Sequence, residues 1–223
     1  MNNYICIIPA REGSKRIKNK NIKSFFGKPI IFYSIKTSIN SKIFKEVHVS
    51  TDSRKIQQIS KKYGAKCDNL RKKKLADDKT KTFQVIKDFY NKFKKPPELV
   101  CCLYPASPFI KINHLKKAFN LLKKNKNLDL VIPVSEFSNK PQRSLIINNK
   151  FIKPENLRYF NSNSNDLKKK YFDTGSFYML RGRFIQNSKS FFPSRAHPMI
   201  IKKNGFIDLN DKDDWSLAIK LFK

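Results

Sequence analysis

A chain of 223 residues, 39% hydrophobic and 13% aromatic, is long enough for a substantial core and has the size of one α/β domain, so residues 1–223 are expected to form a single domain. Its 48 Lys and Arg against 17 Asp and Glu, a formal charge of +31, attract polyanions, but the lysines are spread as pairs and triplets over every predicted helix rather than gathered in one arm. That spread, with Lys, Asn, Ile and Phe abundant together as in A/T-rich coding, argues against a nucleic-acid partner, and no apolar run reaches the length of a membrane span, so a cytoplasmic protein with no membrane partner is expected.

The chain opens on an apolar stretch, Tyr4-Ile5-Cys6-Ile7-Ile8, with the look of a buried strand. It empties into a loop containing Arg11, Gly13, Ser14, Lys15, Arg16 and Lys20. A helix is predicted over residues 30–39, a strand over 46–51, and a helix over 54–63 capped by Ser53 and ended by Gly64. A short strand at 65–68 precedes a helix at 82–94, which Pro96-Pro97 prevent from continuing. Leu99-Val100-Cys101-Cys102-Leu103-Tyr104 then reads as a fully buried parallel strand stopped by Pro105 and Pro108. An amphipathic helix at 112–124 and a strand at 129–134 continue the alternation, which is that of a doubly wound, mostly parallel, Rossmann-like sheet.

From 135 to 171 the alternation fails. A hairpin at 144–152 turns at Asn148-Asn149-Lys150, and a polar stretch follows, so this excursion is either a solvated loop or an arm that packs on a second subunit. The core resumes with strands at 174–180 and 198–201. A closing helix at 211–221 inserts Trp215, Ala218 and Leu221, its start capped and charge-matched by Asp211, Asp213 and Asp214. Cys6, Cys67, Cys101 and Cys102 lie in apolar settings without C-x-x-C spacing, which fits buried thiols and not a zinc site.

The first loop has the composition of a polyphosphate cradle at the carboxyl edge of a parallel sheet. Arg11, Lys15 and Lys20 can neutralise a triphosphate, while amides near Gly13 and the Ser14 hydroxyl supply directed donors. Gly13 suits a close backbone approach to phosphate or a positive φ. The bland alternative is a solvated basic turn. Asp52 either faces a nucleotide or simply leads into the next helix.

Four segments resemble, in order and spacing, the cytidylyltransferases that activate acidic keto-sugars as CMP derivatives: Ile8-Pro9-Ala10-Arg11 through Lys20-Asn21, Val49-Ser50-Thr51-Asp52, Pro105-Ala106-Ser107-Pro108, and Ile207-Asp208. Cys101-Cys102-Leu103-Tyr104, Pro141-Gln142-Arg143 and Tyr171 to Tyr178 resemble the pseudaminic acid branch of that family. The resemblance implies a nucleotide-diphospho-sugar transferase type of fold and transfer of CMP from CTP to an acidic nine-carbon keto-sugar. It also implies a homodimer formed through residues 135–171, which would close over the partner's sugar pocket. Neuraminate, legionaminate and deoxyoctulosonate enzymes are the alternatives within the family; a non-catalytic basic polyanion-binding protein is the alternative outside it.

Carried onto this chain, the resemblance implies catalytic roles for Arg11, Lys15, Lys20 and Asp208. It implies nucleotide binding by Ala10, Arg11, Gly13, Ser14, Lys15, Lys20, Asn21, Arg71, Asp77, Thr80 and Thr82. Sugar binding falls to Tyr104, Gln142, Arg143, Asp173 and Ser176, where Tyr104 replaces the glutamine common in neuraminic acid enzymes. Tyr104 has an alternative as a core aromatic at a strand end, and Gln142 and Arg143 as surface residues entering the hairpin. Magnesium is the implied cofactor, held by Asp208 and Asn210. The family usually has a second aspartate where this chain has Asn210, which implies a weaker metal site.

Overall fold

In the computed structural model, which describes residues 3–189, 191–202 and 205–222, the first strand β1 (Tyr4–Pro9) is buried on both faces. Its side chains alternate between two cores, as the period of two requires: Cys6 and Ile8 enter one, Ile5 and Ile7 the other. A short hairpin of β2 (Ser24–Phe25) and β3 (Lys28–Pro29) leads to α1 (Ile31–Asn40), β4 (Glu46–Ser50) and α2 (Arg54–Lys62). Next come α3 (Thr82–Tyr90), β5 (Leu99–Leu103), α4 (Ile112–Lys124) and β6 (Leu130–Glu136). The excursion carries β7 (Leu145–Asn148), β8 (Phe151–Pro154) and α5 (Leu157–Phe160). The chain then returns through β9 (Tyr171–Asp173), β10 (Phe177–Arg181), α6 (Gly182–Asn187), β11 (Ala196–Ile200) and α7 (Lys212–Leu221).

The main sheet has the order β11-β6-β10-β5-β1-β4, with β9 on β6. Pairing is parallel at β1–β4, β1–β5 and β6–β11, and antiparallel at β5–β10, β6–β10 and β6–β9. The sheet is therefore mixed: β10 and β9 run against the rest. From β1 the chain passes to β4 on one side and then to β5 on the other. That reversal opens a crevice at the carboxyl ends of β1 and β5, where ligands settle in such sheets.

Helices cover both faces. Ile31 and Ile35 of α1, Ile56 of α2, and Leu115, Ala118 and Leu122 of α4 fill one core. Phe83, Ile86 and Tyr90 of α3 and Ile185 of α6 fill the other. A third cluster joins Ile17 of the first loop, Phe25 and Ile30 to Leu209, Trp215 and Ala218, so α7 braces the loop from below its cations. Each fully buried aliphatic side chain contributes about 1.5–3 kcal/mol by leaving water. All four cysteines are buried free thiols.

Several expectations need correction. Ser53 precedes α2 but does not cap it; its hydroxyl donates to Glu12 Oε1 at 2.9 Å. The stretch 65–68 makes only an isolated bridge, His48 to Lys66, and α3 ends at Tyr90, not 94. Leu221 is 48% exposed rather than inserted, and Phe222 takes its place against Phe25 at 4.9 Å between ring centroids. Gly64 does end α2, at φ +95°. Among the described residues no helix is long and apolar enough to cross a membrane.

Candidate functional site: a cationic cleft at the carboxyl edge

The first loop leaves β1 at Pro9, and backbone bonds hold its two ends. Ala10 N donates to Ser50 O at 2.9 Å, and the buried Asn21 spans the loop through Nδ2 to Arg11 O at 2.9 Å. Glu12 N donates to Asp52 Oδ1 at 3.0 Å, so Asp52 anchors the loop from the end of β4. Lys20 Nζ donates to Leu209 O at 2.7 Å, tying the loop to the segment that carries Asp208.

The loop forms one wall of a cleft of about 650 Å³. Arg11, Ser14, Lys15, Arg16, Lys20 and Asn21 line it, joined by Arg71, Asp77, Thr80, Thr82, Tyr104, Asp208 and Asn210. Residues separated by nearly 200 positions in the chain are thus brought together. Ala10 is buried behind the lining. Gly13 does not take a positive φ, and a Cβ there would meet nothing within 4 Å, so of its two expected uses only close approach to a ligand fits.

Charge in the cleft is unbalanced. Burial lowers the Lys20 pKa below its ordinary value; Arg16 and Arg11 push the same way, while Asp208 and Asp214 oppose them. Burial also lowers Arg71, with Arg11 adding repulsion and Asp52 opposing it. Arg71 is only 7% exposed, and its Nε has no hydrogen-bond partner. Cations held together in this way gain most from a polyanion.

Part of that demand is met internally. Asp78 bridges Arg11 Nη1 at 2.6 Å and Lys15 Nζ at 2.5 Å, and the two cations, Lys15 foremost, hold its carboxyl below the usual range. Sequence reasoning missed Asp78, because an exposed aspartate in a lysine-rich loop carries no periodic signal. Its neighbour Asp77 makes a local turn, Oδ1 accepting Thr80 N at 2.7 Å and Thr80 Oγ1 at 2.6 Å. If these two cations hold a phosphate, as the sequence implies, the Asp78 carboxylate occupies its place and would compete with it. We expect Asp78→Asn to tighten CTP binding by about two- to fivefold, the small gain typical of releasing exposed ion pairs; calorimetric titration with CTP checks it, and unchanged or weaker binding contradicts it.

Gly175 also lines the cleft and was not singled out from the sequence. Its φ of +60° turns the chain from β9 into β10, and a Cβ there would lie 3.7 Å from Asp208 Oδ2. The remaining sugar-side candidates stand off the cleft of this chain. Gln142 is buried, donating Nε2 to Lys168 O at 2.7 Å, and Arg143 lies over the Phe160 ring at 5.2 Å. Ser176 is buried with Oγ 2.7 Å from Thr174 Oγ1, and Asp173 accepts from Gly175 N at 2.9 Å.

Residues 5–209 match the model of the cytidylyltransferase family, a span that includes the first loop, Arg71, Tyr104 and Asp208. The chain belongs to the cytidylyltransferase family. It is a nucleotidyltransferase of the CMP-sugar synthetase type, and a CMP-acidic-sugar cytidylyltransferase reaction follows at that general level. It is 33% identical over 223 residues to pseudaminic acid cytidylyltransferase of Campylobacter jejuni, covering 98% of this chain and 96% of that protein. It is 40% identical over 193 residues to a Helicobacter pylori protein, pseudaminic acid cytidylyltransferase and UDP-2,4-diacetamido-2,4,6-trideoxy-beta-L-altropyranose hydrolase. That match covers 86% of this chain but 37% of the longer Helicobacter protein. The fold is that of the solved CMP:2-keto-3-deoxy-manno-octonic acid synthetase complexed with CTP, at TM-score 0.76 and 15% identity over 99% of this chain and 98% of that one.

Proposed function

We propose that this cytidylyltransferase transfers CMP from CTP to the anomeric hydroxyl of an acidic nine-carbon keto-sugar of the pseudaminic acid kind, releasing pyrophosphate. The observation that carries the reading is the gathering of Arg11, Lys15, Lys20 and Arg71 with Asp208 in one cleft at the carboxyl ends of β1 and β5. A cleft this rich in cations suits a triphosphate, which carries roughly four negative charges near neutral pH. The pseudaminic acid enzymes of Campylobacter and Helicobacter among the relatives support the choice of sugar.

In this reading Arg11, Lys15 and Lys20 hold the β- and γ-phosphates, and Arg71, Asp77, Thr80 and Thr82 line the cytidine side. The anomeric oxygen bonds to the α-phosphorus as the bond from that phosphorus to the bridging oxygen breaks. Pyrophosphate leaves, and the hydroxyl proton passes to solvent water. Cations aimed at the leaving oxygens lower the barrier because charge grows there.

Magnesium fits the residues present as an ion carried in with the nucleotide. Among the described residues no three acidic, His or Cys side chains form a cage, whereas Asp208 offers one exposed carboxylate on the cleft, with Asn210 two residues on. Bound there, the ion would offset charge on the phosphate oxygens.

The excursion supports a homodimer. Ile147 and Phe151 are 74% and 81% exposed on its hairpin, apolar surface that a second copy would cover. Arg143, which is exposed and stands off this chain's cleft, would then reach sugar across the dimer, with the buried Gln142 supporting the segment that carries it.

The test is to incubate the protein with magnesium, each of CTP, UTP, ATP and GTP, and a panel of pseudaminic, legionaminic, N-acetylneuraminic and deoxyoctulosonic acids, following pyrophosphate. Release is expected with CTP and pseudaminic acid. No release from CTP with any sugar would overturn the reading, and a monomer by sedimentation at micromolar concentration would overturn the dimer.

A further inference from the structure

Between Ala10 and Asn21 the first loop carries a single acid among its cations, and the fold turns that acid away from the cleft. Arg11, Ser14, Lys15 and Arg16 line the cleft, whereas Glu12 does not. The Glu12 side chain reaches instead to the end of β4, where Oε1 accepts from the hydroxyl of the buried Ser53 at 2.9 Å. Its backbone N–H donates to Asp52 Oδ1 at 3.0 Å, so main chain and side chain are held by the same turn. The Glu12 carbonyl then accepts from Ser14 N–H at 2.7 Å, which carries the hold on to the lining.

The turn that takes these bonds, residues 50–53, also holds the other side of the cleft. Ser50 O accepts from Ala10 N–H at 2.9 Å at the root of the loop, and Thr51 O accepts from Arg71 N–H at 2.6 Å. Four consecutive residues thus fix the loop and Arg71 against each other. Ser53 has no competing duty, because no side-chain bond caps α2 and its own N–H donates to Thr51 Oγ1 at 3.1 Å. A loose Glu12 carboxylate would repel phosphate and draw cations to itself, as Asp78 does. Tied to Ser53, it is kept off the lining.

We infer that Glu12 and Ser53 are positioning residues for the nucleotide: their bond sets the first loop in register with Arg71, so that the triphosphate and the cytidine of one CTP are met together. The inference rests on the cleft being the site for CTP. A loop displaced by about 1 Å would meet one end of the nucleotide at the expense of the other.

Three variants test it. Glu12→Ala and Ser53→Ala each remove the bond, while Glu12→Gln removes the charge and keeps an Oε1 to accept from Ser53. In both alanine variants Kd and KM for CTP are expected to rise about three- to tenfold, the reach of one hydrogen bond, with KM for pseudaminic acid within about twofold of wild type. Glu12→Gln should stay within about twofold of wild type for CTP, and the two alanine substitutions combined should be no worse than either alone. Independently of any ligand, hydrogen exchange at the Glu12 and Ser14 amides should quicken about three- to tenfold in the alanine variants and not in Glu12→Gln. A wild-type protein that binds no CTP sinks the functional reading and leaves the exchange rates to decide the role of the Glu12 bond. Unchanged exchange in the alanine variants, a Glu12→Gln as impaired as Glu12→Ala, or KM values for CTP and sugar that rise in step overturn the inference.

Discussion

Lys20→Ala is expected to lower kcat/KM for CTP by about 10²–10³-fold, the usual cost of removing one preorganised charge from a transition state. Lys20 is the cation with most invested in its position: its ammonium is half-buried, fixed on Leu209 O at 2.7 Å, and flanked by Arg11 and Arg16, which disfavour its charge. Arg11 and Lys15 already have an ion-pair partner in Asp78, whereas Lys20 has a carbonyl and the fields of Asp208 and Asp214. Stability should change little, because losing one charge-assisted bond of about 1.5–3 kcal/mol is offset by no longer desolvating an ammonium.

The same depressed pKa fixes the sign of two pH effects. Between its lowered folded value and the ordinary 10.5, Lys20 binds more protons in the unfolded chain, so its burial opposes folding at lower pH and that penalty fades as pH rises through this window. In the proposed reaction activity runs the other way, because only the charged ammonium could hold phosphate. The basic limb of kcat/KM, which reports free enzyme, should fall below pH 10.5, and the limb of kcat should lie higher because bound triphosphate restores the proton. Initial rates of pyrophosphate release across pH for wild type and Lys20→Ala check both; coincident basic limbs would count against Lys20 as a phosphate ligand.

The first loop was legible because its chemistry is local: a buried strand, then cations, within twenty residues. Arg71, Tyr104 and Asp208 entered through resemblance of motifs, and the crossing of the sheet at β1 explains why the cleft collects them. What stayed hidden depends on contacts distant in sequence. Nothing in Tyr178 or Asp173 announces that the Tyr178 hydroxyl donates to Asp173 or that the Tyr178 ring stands edge-on to Tyr104, since both obey the ordinary alternation of strands. The reversal of β10 is equally silent, because a fully buried strand reads the same in either direction. Ser53 shows a local signal losing to a tertiary one: Glu12, 41 residues away, takes the hydroxyl that helix capping would have used. At the closing helix a shift of one residue, from Leu221 to Phe222, settles which side chain reaches the aromatic cluster around Phe25.

Asp208→Ala should cost about 10²–10⁴-fold in kcat at any magnesium concentration, several kcal/mol of charge stabilisation lost from the phosphate oxygens. Asp208 is exposed on the cleft, sits beside the φ-positive turn at Gly175, and immediately precedes Leu209, whose carbonyl Lys20 ties to the loop, so it is held close to the cations. Two residues on, Asn210 donates its backbone N–H to Asp214 Oδ2 at 2.7 Å and its side-chain amide to Asp208 O at 3.4 Å. These bonds place the amide beside Asp208 without adding charge. If Asp208 and Asn210 hold magnesium, as proposed, Asn210→Asp adds a second carboxylate, and the magnesium concentration for half-maximal rate should fall about three- to tenfold with little change in kcat at saturation. The gain is bounded because the new carboxylate would face Asp214, whose own charge caps α7 and repels it. A magnesium titration of wild type, Asp208→Ala and Asn210→Asp distinguishes the outcomes: an Asn210→Asp curve that overlays wild type, or an Asp208→Ala enzyme restored by excess magnesium, would mean that the ion is held by the nucleotide alone and that these side chains serve only to shape the cleft.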